Sequence, residues 1–204
     1  DFGLPELDDI FSTQEQRDEA KLKKIYEIPL YQIDPFPEHP FKVKDDEDMM
    51  NLVESVKANG IITPATLRKK EDGRYEIISG HRRKRACELA GLETLRSEVV
   101  DMTRDEATIF MVESNFQRTT ILPSEKAFAY KMRLEAMRRM PGRPAMTNGA
   151  PVEHHLKGQK SRDILAEQVG ESKDQVRRYI RLTELKPELL ELVDEGQIAL
   201  RPAV

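Results

Sequence analysis

Long apolar runs, cysteines and large aromatics are what this sequence has least of. No stretch approaches the roughly 18 to 20 consecutive apolar residues of a membrane-spanning helix. No basic start followed by an apolar run and a small-residue cleavage site marks a secretory signal. A single cysteine, Cys87, excludes an internal disulfide framework and a cysteine-based zinc cluster. Tryptophan is absent, and aromatics make up 6% of the 204 residues against 34% charged. The expectation is a soluble, cytoplasmic protein of one or two modest domains with no membrane partner. The chain begins at Asp1 and stops in a partly apolar segment, which leads us to expect part of something longer.

The net charge is also small, −4 from 33 Lys and Arg against 37 Asp and Glu, but the charge is segregated. Residues 1–24 are acidic, poor in apolar side chains and without a period, so they read as a flexible arm. Bases crowd residues 126–143 (Lys126, Lys131, Arg133, Arg138, Arg139, Arg143) and again residues 157–183. A polyanion-binding protein needs a basic face, not a basic total. Solvated helix surface is the plain alternative.

Between residues 25 and 100 the hydrophobic period switches repeatedly. Ile25–Leu30 reads as extended and is closed by a proline-rich stretch to Pro40. Apolar residues at 49, 52, 53 and 56 predict a helix over 46–59, ended by Gly60. Residues 65–69 and 74–78 flank Asp72-Gly73 and predict a hairpin. Residues 81–90 read as a helix stopped by Gly91, and 95–100 as a strand. Beyond this the chain turns helical. A capping box, Thr103 to Glu106, opens a helix to about Gln117, and Pro123 opens another to about Met140. Residues 141–160, rich in Pro and Gly, read as loop. Within it, Gly142-Arg143-Pro144 is a faint match to a minor-groove hook, and His154-His155 is a weak metal signal.

The most readable constellation lies at 162–183. Ile164, Leu165, Ala166 and Val169 give one short helix, and Gly170 supplies a tight turn. Ser172 caps a second helix, with Gln175 at the capping-box position and Val176 and Ile180 one turn apart. This is a helix-turn-helix pattern. The polar side of its second helix carries Lys173, Gln175, Arg177, Arg178 and Arg181, side chains that read base edges or neutralise phosphates. With Ser161 and Ser172 at helix starts, these are the candidate DNA-binding residues. Tyr179 reads as packing.

A second candidate is the elbow Ser79-Gly80-His81-Arg82-Arg83-Lys84-Arg85. Glycine lets the backbone turn into a helix whose first amides and dipole attract an anion, and the arginines can grip it. An exposed basic helix start explains the same residues. A polar cluster, Glu113-Ser114-Asn115-Phe116-Gln117-Arg118, lies at the end of a later helix.

Taken in order, Gly60–Pro64, Ser79–Ala86, Ser114–Arg118 with Leu122–Ala127, and the helix-turn-helix resemble the ParB family of DNA-segregation proteins, over about residues 25–204. The resemblance implies an α+β fold: a small mixed α/β ParB/sulfiredoxin-like nucleotide-binding domain (25–118), then an all-α DNA-binding domain (119–204). It implies binding of a palindromic double-stranded DNA site, a CTP- and Mg²⁺-dependent clamp, a homodimer, a ParA-type ATPase partner and a nucleoid- or plasmid-associated location. Carried over by motif, Gly80, His81, Arg82 and Arg83 would hold the triphosphate, with Ser79 and Arg85 beside them. Glu113, Ser114, Asn115, Gln117 and Arg118 would complete the pocket, Asn115 at the metal and Thr63 and Pro64 near the base. The sequence departs from the family where His81 and Ser114 replace Glu and Thr63 replaces Gln. Glu113 precedes Ser114 but points about 100° away on a helix. Nucleotide binding carries over; CTPase activity is left open. A plain transcriptional regulator, and a nuclease- or kinase-like enzyme on the same fold, stand as alternatives. Cys87, the residue sulfiredoxin-like chemistry would need, reads as buried packing.

Overall fold

The computed structural model describes residues 24–118, 120–140 and 161–203. The acidic arm up to residue 23 and the segment 141–160, with Arg143-Pro144 and His154-His155, lie outside the described residues.

Five strands form one mixed sheet: β1 (Ile25–Pro29), β2 (Ile33–Asp34), β3 (Ala65–Lys69), β4 (Tyr75–Ser79) and β5 (Thr94–Val100), in the order β1-β5-β3-β4-β2. β1 runs antiparallel to β5, and β3 to β4; β3 lies parallel to β5, and β2 to β4. The hairpin expected at Asp72-Gly73 joins β3 and β4 and is closed by Lys70 N donating to the Arg74 carbonyl at 2.8 Å.

Both faces of the sheet are covered. Successive strand residues point to opposite faces, so Ile77 and Ile78, adjacent in β4 and both fully buried, enter different cores. On one face α1 (Glu47–Asn59) and α2 (His81–Ala90) bring Met49, Val53, Val56, Ala86 and Cys87 onto Leu67, Ile77 and Leu95. The buried face of α1 is the one its helical spacing predicts. Cys87 is 0% exposed, and burial, then the charges of Glu27 and Glu88, push its thiol up to about 11. It is packing, not a nucleophile. On the other face α3 (Arg104–Asn115) and α4 (Pro123–Arg139) lay Ala107, Met111, Val112 and Ala129 against Ile78, Phe36 and Phe41.

Helix starts follow their caps. Asp46 accepts from Met49 N at 3.0 Å, and Thr103 and Glu106 form the expected reciprocal box. α3 ends at Asn115, two residues before the sequence-based limit. Phe116 N is shared between the carbonyls of Val112 and Glu113, and Arg118 N turns back to Asn115 O at 3.1 Å. That turn lifts Arg118 off the helix axis.

Three short helices complete the described chain: α5 (Ser161–Gln168), α6 (Lys173–Leu182) and α7 (Pro187–Asp194). Leu165, Ala166 and Val176 of α5 and α6 pack with Tyr130 and Leu134 of α4. The same helix α4 gives Ala129 to the sheet-side core, so α4 is shared by both cores. α7 has no counterpart in the sequence reading, and neither has the short β2. α7 matters, because Asp194 at its end accepts from Ser124 N (2.8 Å) and Ser124 Oγ (2.5 Å), capping α4 from outside. No helix among the described residues is long and apolar enough to cross a membrane.

Candidate functional site

The elbow is built by one close backbone approach. Gly80 caps α2 with φ +104°, and a Cβ there would lie 2.9 Å from the Cβ of Ala65, which is itself fully buried on β3. Glycine is required by both angle and space. With β4 pressed onto β3 in this way, the first turn of α2 sits at the end of these two interior strands, beside the turn 61–64. Arg83 fastens the two together: its Nη1 donates to the carbonyls of Thr63 at 2.6 Å and Pro64 at 2.5 Å. Thr63, Pro64, Gly80 and Arg83 are therefore neighbours. In this arrangement Arg83 positions the turn, and burial makes its guanidinium harder to keep charged.

Among the described residues Arg82 has one ion-pair contact, a long one to Asp46 at 3.5 Å. Arg118, from the turn after α3, lies over the Phe41 ring at 5.3 Å, is close enough to Arg82 to feel its charge, and acts on His81 in turn. A chain of ring contacts, Arg118 over Phe41, Phe41 against His39 and His39 over His81, brings the later corner next to the elbow. Burial first, and then the Arg82 charge, makes the Arg118 guanidinium harder to keep protonated, while Glu125 works the other way. Glu125 is itself engaged, accepting from the backbone amides of Lys42 (2.8 Å) and Leu122 (3.0 Å).

Between these corners lies a pair that no motif predicted. The rings of His39 and His81 overlap with centroids 3.6 Å apart, and His39 also meets Phe41 edge-on at 5.6 Å. Burial, followed by the charges nearby, pulls His39 down to about 4 and His81 down to about 2. His39 sits in the proline-rich stretch before α1, and nothing in its local spacing links it to residue 81.

Other candidates stand elsewhere. Arg85 is occupied by Asp45 (Nη2–Oδ2 2.6 Å) and Glu88. Glu113 is paired with Arg133 of α4, which is 3% exposed and also donates to Gln168 of α5 at 2.8 Å. Burial leaves the Arg133 charge disfavoured, and Glu113 offsets part of that. Ser114 Oγ and Asn115 Nδ2 both donate to the Met111 carbonyl, at 3.0 and 2.8 Å. Ser79 closes β4 opposite Thr66, and Gln117 is exposed. A cleft of about 480 Å³ opens between Phe116, Arg118, Lys126, Tyr130, Gln168 and Glu171. Its far wall is an ion pair, Lys126 to Glu171 at 2.9 Å, with the Tyr130 hydroxyl also on Glu171.

The fit to a bound polyphosphate is good on this geometry. Arg82 and Arg118 lie near the start of α2, where two buried imidazole nitrogens, His39 Nε2 and His81 Nε2, have no hydrogen-bond partner, and Lys84 of the same turn is paired with Glu88 at 3.0 Å. For Mg²⁺ the motif offers the Asn115 amide oxygen, and among the described residues no group of three or more His, Cys, Asp or Glu side chains gathers.

The second candidate surface is α6. Ser172 Oγ accepts from Gln175 N at 3.1 Å, and Lys173 pairs with Asp163 of α5 at 2.8 Å. Arg177 and Arg181 are exposed, Arg178 is half-buried, and none of the three forms an ion pair among the described residues. Ser161 begins α5. Tyr179 packs on Tyr130, centroids 5.6 Å apart, as expected of a packing residue.

The sequence matches the ParB N-terminal domain family over residues 14–116. It is 31% identical over 174 residues to the chromosome-partitioning protein Spo0J of Thermus thermophilus, covering 85% of this chain and 56% of that one. It is 28% identical over 206 residues to the nucleoid occlusion protein of Bacillus mycoides, covering 99% and 64%. The chain therefore spans between about half and two thirds of these relatives. In fold it is similar to C-terminally truncated ParB of Caulobacter crescentus complexed to the centromeric parS site, with TM-score 0.53 and 24% identity over 87% of this chain and 82% of that one. A mixed α/β unit with a shared-core helical region, matched along half its length by one family model, identifies this chain as a member of the ParB N-terminal domain family.

Proposed function

We propose that the chain is the nucleotide- and DNA-binding part of a ParB-type partition protein, nucleoid- or plasmid-associated in the cytoplasm. One observation carries this reading: Arg118 lies over Phe41, whose ring meets His39, which in turn overlaps His81 at the amino end of α2 beside Arg82, in a chain whose basic α6 has three arginines outside any ion pair among the described residues. Arg82 and Arg118, with the α2 amides, would hold a triphosphate by charge and hydrogen bonding. Arg83 holds the 61–64 turn, where a base would lie. Asn115 would supply a protein oxygen to Mg²⁺. The cytidine preference rests on the family resemblance.

Hydrolysis is not part of this reading. The Ser114 hydroxyl is spent on Met111 and the Glu113 carboxylate on Arg133, so neither is poised to act on water. On the DNA side, Ser172 and Lys173 would dock α6 against phosphate, and Gln175, Arg177, Arg178 and Arg181 would make the base-edge and phosphate contacts. One short helix covers too few base pairs for a unique site, so a homodimer reading a palindrome fits the chemistry. A ParA-type ATPase partner belongs to the same family reading.

The test is calorimetric titration with CTP, ATP, GTP and UTP, each with and without palindromic DNA. CTP should bind most tightly, and Arg82→Ala and Arg118→Ala should each abolish the signal. Failure of all four nucleotides to bind would leave only a DNA-binding module.

A further inference from the structure

The His39–His81 pair is chemically out of keeping with ordinary core packing. Both Nε2 atoms are shielded from solvent, and neither has a hydrogen-bond partner. The other ring nitrogen of His39 is held by a backbone hydrogen bond at Phe41. The network therefore assigns the neutral ring its proton on that side, leaving a bare lone pair at Nε2. The charges that act on the two rings are positive: Arg118, from the turn after α3, acts on both, and His81 also feels a protonated His39 and, less, Lys84, which is itself paired with Glu88. Arg82 adds its charge to Arg118. Burial first, then for His39 the Arg118 charge and for His81 the His39 ring ahead of Arg118 and Lys84, keep both rings neutral at ordinary pH.

An anion seated at the amino end of α2 reverses that field. A phosphate oxygen offers only lone pairs, so it can meet Nε2 of His39 only after that nitrogen has taken a proton. The same anion supplies the charge that makes the proton favourable. Each opposite charge within about 4–6 Å raises a titration by about 1–3 pH units, and a polyphosphate brings several. Starting from about 4, His39 is carried into the neutral range before His81, which starts from about 2.

We propose that the His39–His81 pair couples polyphosphate binding at the elbow to proton uptake, His39 Nε2–H donating to a phosphate oxygen in the bound state. The proton comes from solvent, and no other bond is made or broken. The inference rests on the nucleotide reading above and adds His39 to the residues that bind the ligand. It also makes affinity rise as pH falls, in a site where the family resemblance puts a carboxylate at position 81.

The test is calorimetry of the whole chain with CTP and, separately, with inorganic tripolyphosphate. Titrations are run at about pH 8 and about pH 7, each in two buffers of different ionisation enthalpy. Uptake approaching one proton per anion is expected, with Kd falling roughly three- to tenfold from the higher to the lower pH. In His39→Gln, whose amide is a fixed donor, the uptake should disappear whatever the affinity. Binding by the parent chain with no proton uptake and a constant Kd overturns the inference and leaves the nucleotide reading standing. Undiminished uptake in His39→Gln also overturns it. Absence of binding by either ligand removes both. Should His39→Gln not fold, imidazole NMR of the parent chain decides: a His39 ring that stays neutral with tripolyphosphate bound refutes the proposal.

Discussion

Replacing Gly80 with alanine probes the elbow most directly, because two separable penalties meet there. The first is backbone strain: φ +104° and ψ 23° lie outside the region an L side chain adopts comfortably, at a cost of about 1–3 kcal/mol. The second is steric. The new Cβ would stand 2.9 Å from Ala65 Cβ, 3.2 Å from Ala65 Cα and 3.3 Å from Arg83 Cζ. Arg83 has some freedom, but Ala65 is a fully buried residue of a central strand and cannot yield without moving β3. Overpacking of that kind adds about 1–3 kcal/mol. Gly91, at the other end of the same helix, is the internal control: φ +75°, with nothing within 4 Å of its added Cβ. Gly91→Ala should therefore show only the conformational penalty, about 1–2 kcal/mol. With a denaturant slope of about 2 kcal/mol/M, the urea midpoint of Gly80→Ala should fall about 0.5–1.5 M below that of Gly91→Ala, at unchanged slope. Equal midpoints for the two variants would refute the close approach of β3 to the elbow.

Asp194→Ala removes the external cap on α4 and should lower stability by about 1–3 kcal/mol in urea unfolding, since Ser124 is buried and loses two charge-assisted bonds. Glu191→Ala, exposed on the same helix, should change it by less than about 0.5 kcal/mol. Because His39 and His81 titrate below their unfolded value of 6.5, the unfolded chain binds protons first. Their contribution is fully present above about pH 6.5 and is lost as pH falls through about 4 and then 2. Urea midpoints of the parent chain should drop between about pH 6.5 and 4, and the drop should be smaller in His39→Gln; identical pH profiles would dismiss the buried neutral pair. Arg178→Ala should weaken binding to a cognate palindrome by about 1–3 kcal/mol more than to scrambled DNA, measured by fluorescence anisotropy. An equal loss on both makes Arg178 a phosphate contact.

The local elements are legible in the chain alone, because their causes are local. Apolar spacing at 49, 53 and 56, the Asp72-Gly73 turn, the Thr103–Glu106 box and the Ser172 cap are all settled within one or two turns of chain. The same short range explains the miss at α7. Pro187, Leu190 and Val193 carry a helix signal, but the acidic residues around them mask its apolar stripe. The partnerships across the chain emerge only in the folded molecule. Sequence shows an arginine elbow and a later polar cluster, yet not that Arg118 lies over Phe41 beside the elbow while Arg85 turns to Asp45 and Glu113 to Arg133. Nor does it show that His39 stacks on His81, a meeting of a proline-rich loop and a helix start that share no period. Periodicity and capping are interactions of neighbours in sequence, and they leave their mark in the string of residues. A binding site is an interaction of neighbours in space, and which charges share it is known only once the sheet has brought its edges together.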